Sequence, residues 1–425
     1  MRRIGWVLGS CLLFGCPSDD DEGGGGGGES GEAGGTEATG TTGASTSGTN
    51  STDESTTTTG AADVSTGDTS STGASSAENT DACEGATLRA KPNDTSMRGP
   101  WPVGTRTVTV DDLTVEVFYP AAEQPSGDPV RFDIRDALPP EEAAKISDEQ
   151  NPWQICDCGR DLPIDDAYGP YPVIVFVHGT AGWRTQSLRH MTHWASRGFV
   201  VLTADHPGLM LRDILAPLCG GEAAPRDLDS DLEAMLAAIR GETPALSEFA
   251  GVLDAERIGM TGHSAGGGAV GPYSDDAQVI IPLAAGPVVG SGSAIVSSMI
   301  LGGTADTVVQ YSALQSGYGS SASPKRLVGI GNAGHLVPSE ICTASNEAGQ
   351  NLLEIADETG VCGAGAAGFL FQCSDALLDD ETGWAIVEYA TSAAFEEVLH
   401  CSSIGTENLA SIQTVYPDVV EFLAE

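Results

Sequence analysis

The chain has 425 residues, with 60 Asp and Glu against 19 Lys and Arg, a formal net charge of −41 and a pI near 4.1. That balance excludes nucleic acid and anionic membrane surfaces as electrostatic partners. Lysine is confined to Lys91, Lys145 and Lys325, and the acidity reads as a solubility device rather than a clue to substrate.

Met1-Arg2-Arg3 precedes an apolar run that ends in Leu13-Phe14-Gly15-Cys16. The pattern is that of a secretory signal, too short for a typical membrane span. Its end resembles a bacterial lipobox, in which Cys16 would carry lipid after cleavage on its N-terminal side. An ordinary signal with a chance cysteine is the competing reading. Residues 17–80 are almost all Gly, Ser, Thr, Ala, Asp and Glu, without Lys, Arg or aromatic residues. Such a stretch buries too little apolar area to offset chain entropy and is expected to be a disordered tether. The expected organisation is a lipoprotein signal over 1–16, a linker over 17–80 and one domain over 81–425. The expected location is extracytoplasmic, lipid-anchored to the bacterial cell envelope at the outer membrane or cell surface.

Beyond the signal stand Cys83, Cys156, Cys158, Cys219, Cys342, Cys362, Cys373 and Cys401. Their even count in an oxidising compartment implies disulfides, with a connectivity that spacing does not give. Metal binding is the competing reading. However, Cys156-Asp157-Cys158 is not a Cys-x-x-Cys pair, and no histidine lies near it at zinc-finger spacing.

In chain order, Arg106 to Tyr119 alternates around Asp111-Asp112 and predicts a β-hairpin. Pro120 to Gly169, rich in Pro, Asp and Glu, reads as an irregular excursion with a short helix near Glu141 to Ile146. Tyr171 to Val177 is a continuous apolar run, as a buried parallel strand requires. A helix over Ser187 to Ser196 and a second buried strand over Phe199 to Asp205 follow. Asp227 to Arg240 has helical periodicity through Leu228, Leu232, Met235, Leu236 and Ile239. Further strands are predicted over Arg257–Thr261, Val279–Ala284, Ser297–Gly302 and Lys325–Ile330. Glu340 to Cys401 reads as mostly helical, closing over the sheet. Strands alternating with helices predict an α/β fold, a doubly wound, mostly parallel sheet with helices on both faces.

Ligand chemistry in such sheets gathers at the C-terminal ends of strands. There stand His178-Gly179-Thr180-Ala181-Gly182, Gly262-His263-Ser264-Ala265-Gly266, Gly303-Thr304-Ala305-Asp306 and Gly334-His335. Gly-x-Ser-x-Gly between a strand and a helix is a nucleophile elbow, whose flanking glycines allow a turn too tight for a Cβ. The order Ser264, Asp306, His335 is that of the α/β-hydrolases. A serine hydroxyl needs a base to take its proton, and His335 fills that role, with Asp306 fixing the imidazole tautomer. The backbone amides of Thr180 and Ala265 would hold the oxyanion, an effect worth about 3 kcal/mol per donor. His178 and His263, beside motif glycines, read as supports of their loops. His190 and His193 read as surface or satisfied core residues of a helix, and His400 lies in a late helix. Asp205 and Asp254 precede the serine, and Asp205 reads as a brace for its loop.

The stretch Arg98-Gly99-Pro100-Trp101-Pro102-Val103-Gly104, with Val115 to Pro120, Ala204-Asp205-His206-Pro207-Gly208 and the motifs above, resembles one branch of the α/β-hydrolases. That branch is the predicted dienelactone-hydrolase and platelet-activating-factor-acetylhydrolase-like group, and the resemblance covers roughly residues 98–340. It implies a serine hydrolase of carboxylic esters working without metal or cofactor. Classical dienelactone hydrolases use a cysteine nucleophile, so Ser264 departs from them and their substrate does not carry over. Polyester hydrolases and cutinases tend to have an aromatic residue at the position of Thr180 and Met at that of Ala265, and this chain has neither.

The expected partner is a small-molecule ester with a short to medium acyl chain, cleaved by a monomer. No long apolar lid stands between Ala204 and the elbow, because Leu209 to Pro225 is broken by Pro217, Gly220 and Gly221. An open pocket is therefore expected. The excursion before Gly169 and the segment after Cys342 are the places from which a cover would come, with Trp153, Trp183 and Phe369 then lining an acyl channel. The alternatives are a polyester hydrolase or peptidase on the same fold, and a surface binding protein that no longer turns over.

Overall fold

In the computed structural model, which describes residues 77–367 and 370–425, every residue of Tyr171–Val177 is buried. Its alternate side chains serve two cores, Ile174 and Phe176 on one face, Val173, Val175 and Val177 on the other. A strand covered on both faces has to be apolar throughout. The expected signal, the expected lipidation at Cys16 and nearly all of the expected tether lie outside the described residues.

Ten strands form one sheet. In chain order they are β1 (Val103–Val110), β2 (Leu113–Pro120), β3 (Gly159–Arg160), β4 (Tyr171–Val177) and β5 (Val200–Ala204). Then come β6 (Leu253–His263), β7 (Val279–Leu283), β8 (Ser297–Gly303), β9 (Lys325–Ile330) and β10 (Val419–Ala424). Across the sheet they run β10-β9-β8-β7-β6-β4-β5-β2-β1-β3. The block from β9 to β5 is parallel. The hairpin β1–β2 and the edge strand β10 pair antiparallel.

The principal helices are α1 (Leu188–Ser196), α2 (Leu228–Ile239), α3 (Ala265–Val270), α4 (Tyr311–Ser320), α5 (Leu352–Thr359), α6 (Asp380–Leu399) and α7 (Ser403–Val415). Met191 and Trp194 of α1 and Val387 and Phe395 of α6 pack on one face. Leu232 and Met235 of α2 and Val270 of α3 pack on the other. Helix α2 begins where the Asp227 side chain accepts from the Ser230 amide, satisfying a donor that the helix itself leaves free. The fold is thus α/β, with a mostly parallel sheet and helices on both faces.

Two expectations need correcting. The segment after Glu340 is only partly helical: α5, the short turn Ala364–Ala367 and α6 are joined by irregular chain. Helix α7 and strand β10 follow it, beyond the last element expected from the sequence.

The second correction concerns cover over the sheet. A separate apolar cluster joins Ile134 and Ile146 of the early excursion to Met210, Leu211 and Leu215, and these to Leu336, Ile341, Ile355, Val361 and Phe371. Three segments remote in sequence therefore build one cap. Lys145 Nζ donates to the Gly360 carbonyl at 2.8 Å, and the Cys362 amide to Glu142 Oε2 at 2.6 Å. The cap is cross-linked by Cys219–Cys362 and Cys342–Cys373. The remaining disulfides are Cys83–Cys401 and Cys156–Cys158, so all eight cysteines beyond the signal are paired.

Candidate active site

Strand β6 ends at His263 and α3 begins at Ala265, which leaves Ser264 alone to make the turn. It adopts φ 54° and ψ −119°, a left-handed conformation that costs a non-glycine residue free energy and clusters at functional sites. Its neighbours show why the flanking positions are glycine. A Cβ on Gly266 would stand 2.3 Å from the Val177 carbonyl and 2.5 Å from that of His178; one on Gly262 would stand 2.6 Å from the Gly266 carbonyl carbon. The elbow therefore packs directly on the backbone leading into the Thr180 loop.

His335 Nδ1 and Asp306 Oδ2 are 2.7 Å apart. The other carboxylate oxygen, Oδ1, accepts from the amides of Val308 and Val309, both at 2.8 Å. With the carboxylate held on one side by backbone, Nδ1 of His335 carries the proton and Nε2 is left for chemistry. Ser264, His335 and Thr180 line one cleft. Among the described residues no hydrogen bond closes between Ser264 Oγ and His335, although one was expected; catalytic bonds of this kind often tighten only around substrate.

The Thr180 amide donates to no acceptor among the described residues. Ala265 is the first residue of α3, so its amide precedes the helix's own ladder. Thr180 Oγ1 is buried and also without a partner. Among the described residues, the Thr180 amide, Thr180 Oγ1 and the Ala265 amide thus have no hydrogen-bond acceptor, and Thr180 lines the cleft.

The loops that carry these groups are tied together by side chains. Gln186 Oε1 accepts from the Gly179 amide at 3.0 Å, and its Nε2 donates to His263 Nδ1 at 2.8 Å. His263 Nε2 then donates to the carbonyl of His335 at 3.0 Å. On the far side, Gln372 Oε1 accepts from the amides of His335 at 3.2 Å and Thr307 at 3.1 Å, while its Nε2 donates to the Ala305 carbonyl at 2.9 Å. One amide thereby clips the histidine loop to the aspartate loop. Burial drives the pKa of His263 well below the ordinary range and that of His178 down to about 3, so both rings are neutral bracing groups. His178 Nε2 accepts from the His206 amide at 3.3 Å.

The rival residues stand away from this cleft. Asp205 accepts from the Arg184 amide at 2.9 Å and pairs with its guanidinium, the loop brace its position suggested. Asp254 pairs with Arg257. His190 and His193 are buried beside Glu388, and His400 stacks on Phe199.

Gln186 and Gln372 were not singled out in the sequence. A glutamine at the entry to α1 and another beside Cys373 carry no distinctive pattern, and their roles exist only through contacts with remote loops. The open pocket was also not found. The space at Ser264 is about 10 Å³ and is walled by Leu336, Ile341, Leu370 and Phe371, room for roughly one water. A larger cavity of about 540 Å³ opens behind the histidine loop, between Gly334 and Asp380, but Ser264, Thr180 and His335 are not among its walls. Trp183 does line an apolar cavity in the cap, Trp153 does not, and Phe369 lies outside the described residues.

A strained serine elbow facing a histidine–aspartate pair, at the strand ends of a mostly parallel sheet, is an arrangement of the α/β serine-hydrolase kind. Residues 154–209 match the family model described as platelet-activating factor acetylhydrolase, isoform II. That segment carries β4, the Thr180 loop, α1 and the Asp205–Gly208 turn, and it points to a hydrolase of the esterase type. Ser264, Asp306 and His335 lie beyond it. No curated protein matches the chain.

Proposed function

We propose that the protein is a serine hydrolase of carboxylic esters with short to medium acyl chains. The observation that carries this is the 2.7 Å His335–Asp306 contact in the same cleft as the strained Ser264. His335 Nε2 takes the proton of Ser264 Oγ as the oxygen attacks the ester carbonyl. The resulting oxyanion is met by the amides of Ala265 and Thr180. Collapse of the tetrahedral intermediate expels the alcohol, which takes its proton from His335, and leaves an acyl group on Ser264. Water, deprotonated by the same imidazole, then releases the carboxylic acid and restores the serine.

An extracytoplasmic location with lipid on Cys16 belongs to the same proposal. Its support is the signal-like N-terminus and four disulfides, which persist in oxidising compartments.

The test is labelling with a fluorophosphonate, which reports an activated serine without knowledge of the substrate. Wild type should label and hydrolyse p-nitrophenyl acetate, and Ser264→Ala should do neither while keeping its thermal unfolding temperature. Labelling that survives Ser264→Ala would place the nucleophile elsewhere.

A further inference from the structure

The space at Ser264 is too small for an ester, so substrate enters only if a wall moves. The serine cleft shares Leu336 with the larger cavity behind the histidine loop, and Phe371 with an apolar cavity in the cap. That cavity holds about 50 Å³ and lies inside the cap, between Ile134 and Leu138 of the early excursion, Leu211 and Leu215, and Ala356 and Val361. Trp183, three residues beyond Thr180, also lines it; its Nε1 donates to Gln154 Oε1 at 2.8 Å, so the indole presents only its apolar body to the space. The lining is apolar apart from Arg135, paired with Asp133, and Asn151, whose Nδ2 donates to Asp133 Oδ1 at 2.9 Å while its Oδ1 has no partner among the described residues. A hollow lined so largely by aliphatic side chains favours an aliphatic group over a charged one.

We infer that this cavity is the acyl-chain subsite of the ester hydrolase proposed above, on which the inference rests, and that Phe371 is its gate. Rotation of the Phe371 ring joins the hollow to the cleft. The carbonyl carbon then sits at Ser264 while a short aliphatic tail lies against Leu211, Leu215 and Ala356. The alcohol leaves toward solvent. The closed, cross-linked walls limit tail length, which selects short to medium chains over long ones. Phe371 is followed by Gln372, the clip on the His335 and Asp306 loops, so gate and clip are neighbours on one strip of chain.

The test is a p-nitrophenyl ester series from acetate through butyrate, hexanoate and octanoate to palmitate. It is run on the full chain, on Ala356→Trp and Val361→Phe, which fill the hollow, and on Phe371→Ala, which opens it. Thermal unfolding identifies any variant that fails to fold, and two independent filling variants keep the test decisive. Wild type should peak between butyrate and octanoate. Each filling variant should lower the hexanoate-to-acetate ratio of kcat/KM by about tenfold or more, the scale of discrimination that one or two methylenes give in an apolar pocket. Phe371→Ala should move the peak to longer chains. If wild type cleaves acetate but the folded filling variants keep its chain-length profile, the subsite is overturned and the esterase reading stands. If wild type cleaves no ester of the series and takes no fluorophosphonate, both are overturned.

Discussion

The ring of His263 donates from Nε2 to the backbone carbonyl of His335 at 3.0 Å, and the two imidazoles lie 4.7 Å apart between centroids. The residue beside the nucleophile therefore positions the base by its main chain and leaves the base's own ring to Asp306 and the chemistry. Because His263 Nδ1 accepts from Gln186, its tautomer is fixed by the same bonds.

His263→Phe keeps the ring volume but removes both bonds. We expect kcat to fall by about 100-fold, the cost of an ångström-scale misplacement of catalytic groups, with KM changed little. Steady-state kinetics with p-nitrophenyl acetate checks this. A variant with unaltered kcat would mean that the brace is structural only.

Gln372 offers a graded test, because its two ends act on different loops. Gln372→Glu keeps the acceptor for the His335 and Thr307 amides and loses the donor to Ala305; Gln372→Leu loses all three bonds. Fluorophosphonate labelling should slow in the order wild type, Glu, Leu. Equal rates for Glu and Leu variants would show that holding the His335 amide contributes nothing.

Thr180 Oγ1 is buried and unpartnered at the cleft, and we expect it to join the amides in binding the oxyanion. Thr180→Val should reduce kcat by about 100-fold, the loss that follows removal of one such donor. Thr180→Ser should retain most of the activity, and similar losses in both variants would count against the hydroxyl.

The buried histidines make stability fall with acid below neutral pH. Burial lowers His178 to about 3 and His193 to about 4, and carries His263 well below the ordinary value. Unfolded, these rings bind protons near pH 6.5; folded, they stay neutral to much lower pH. Between those limits the unfolded chain holds more protons, so stability rises with pH. Urea midpoints should be level above pH 7 and decline steadily from about pH 6.5 toward pH 4. A flat profile across that interval would contradict the neutral assignment.

Removing Cys219–Cys362, which spans 143 residues, should cost about 2–5 kcal/mol and loosen the cap more than the sheet. Chemical denaturation of the Cys219→Ala, Cys362→Ala double variant measures the cost. Limited proteolysis should cut first within residues 340–375.

The strand ends were legible because their chemistry is local. A buried run such as Tyr171–Val177 followed by His178-Gly179-Thr180 states both the strand and what stands at its end. Ser264, Asp306 and His335 share one order and one kind of position, and the last two meet as that order implies. The cap was not legible in this way. Ile134, Leu211 and Phe371 belong to segments with no common period, and only their packing makes them one layer. Disulfide connectivity has the same character: Cys342 and Cys373 are 31 residues apart, but Cys83 and Cys401 are 318 apart. Gln186 and Gln372 matter through which backbone groups they reach, and composition does not carry that.

Lys91 is fully buried, with its ammonium 2.8 Å from His400 Nδ1 and 3.4 Å from Glu396 Oε2. Nearby, Thr95 Oγ1 donates to the Tyr389 carbonyl, and Arg197 donates to the carbonyl of Pro92. Lys91 and Thr95 thus find partners about 300 residues later, whereas Arg197 reaches the same segment from about 100 residues on. The contacts with α6 and His400 cannot form until α6 has left the ribosome, and contacts of such separation form late and slowly. The beginning of the domain therefore lacks part of its packing until nearly all of the chain has been made.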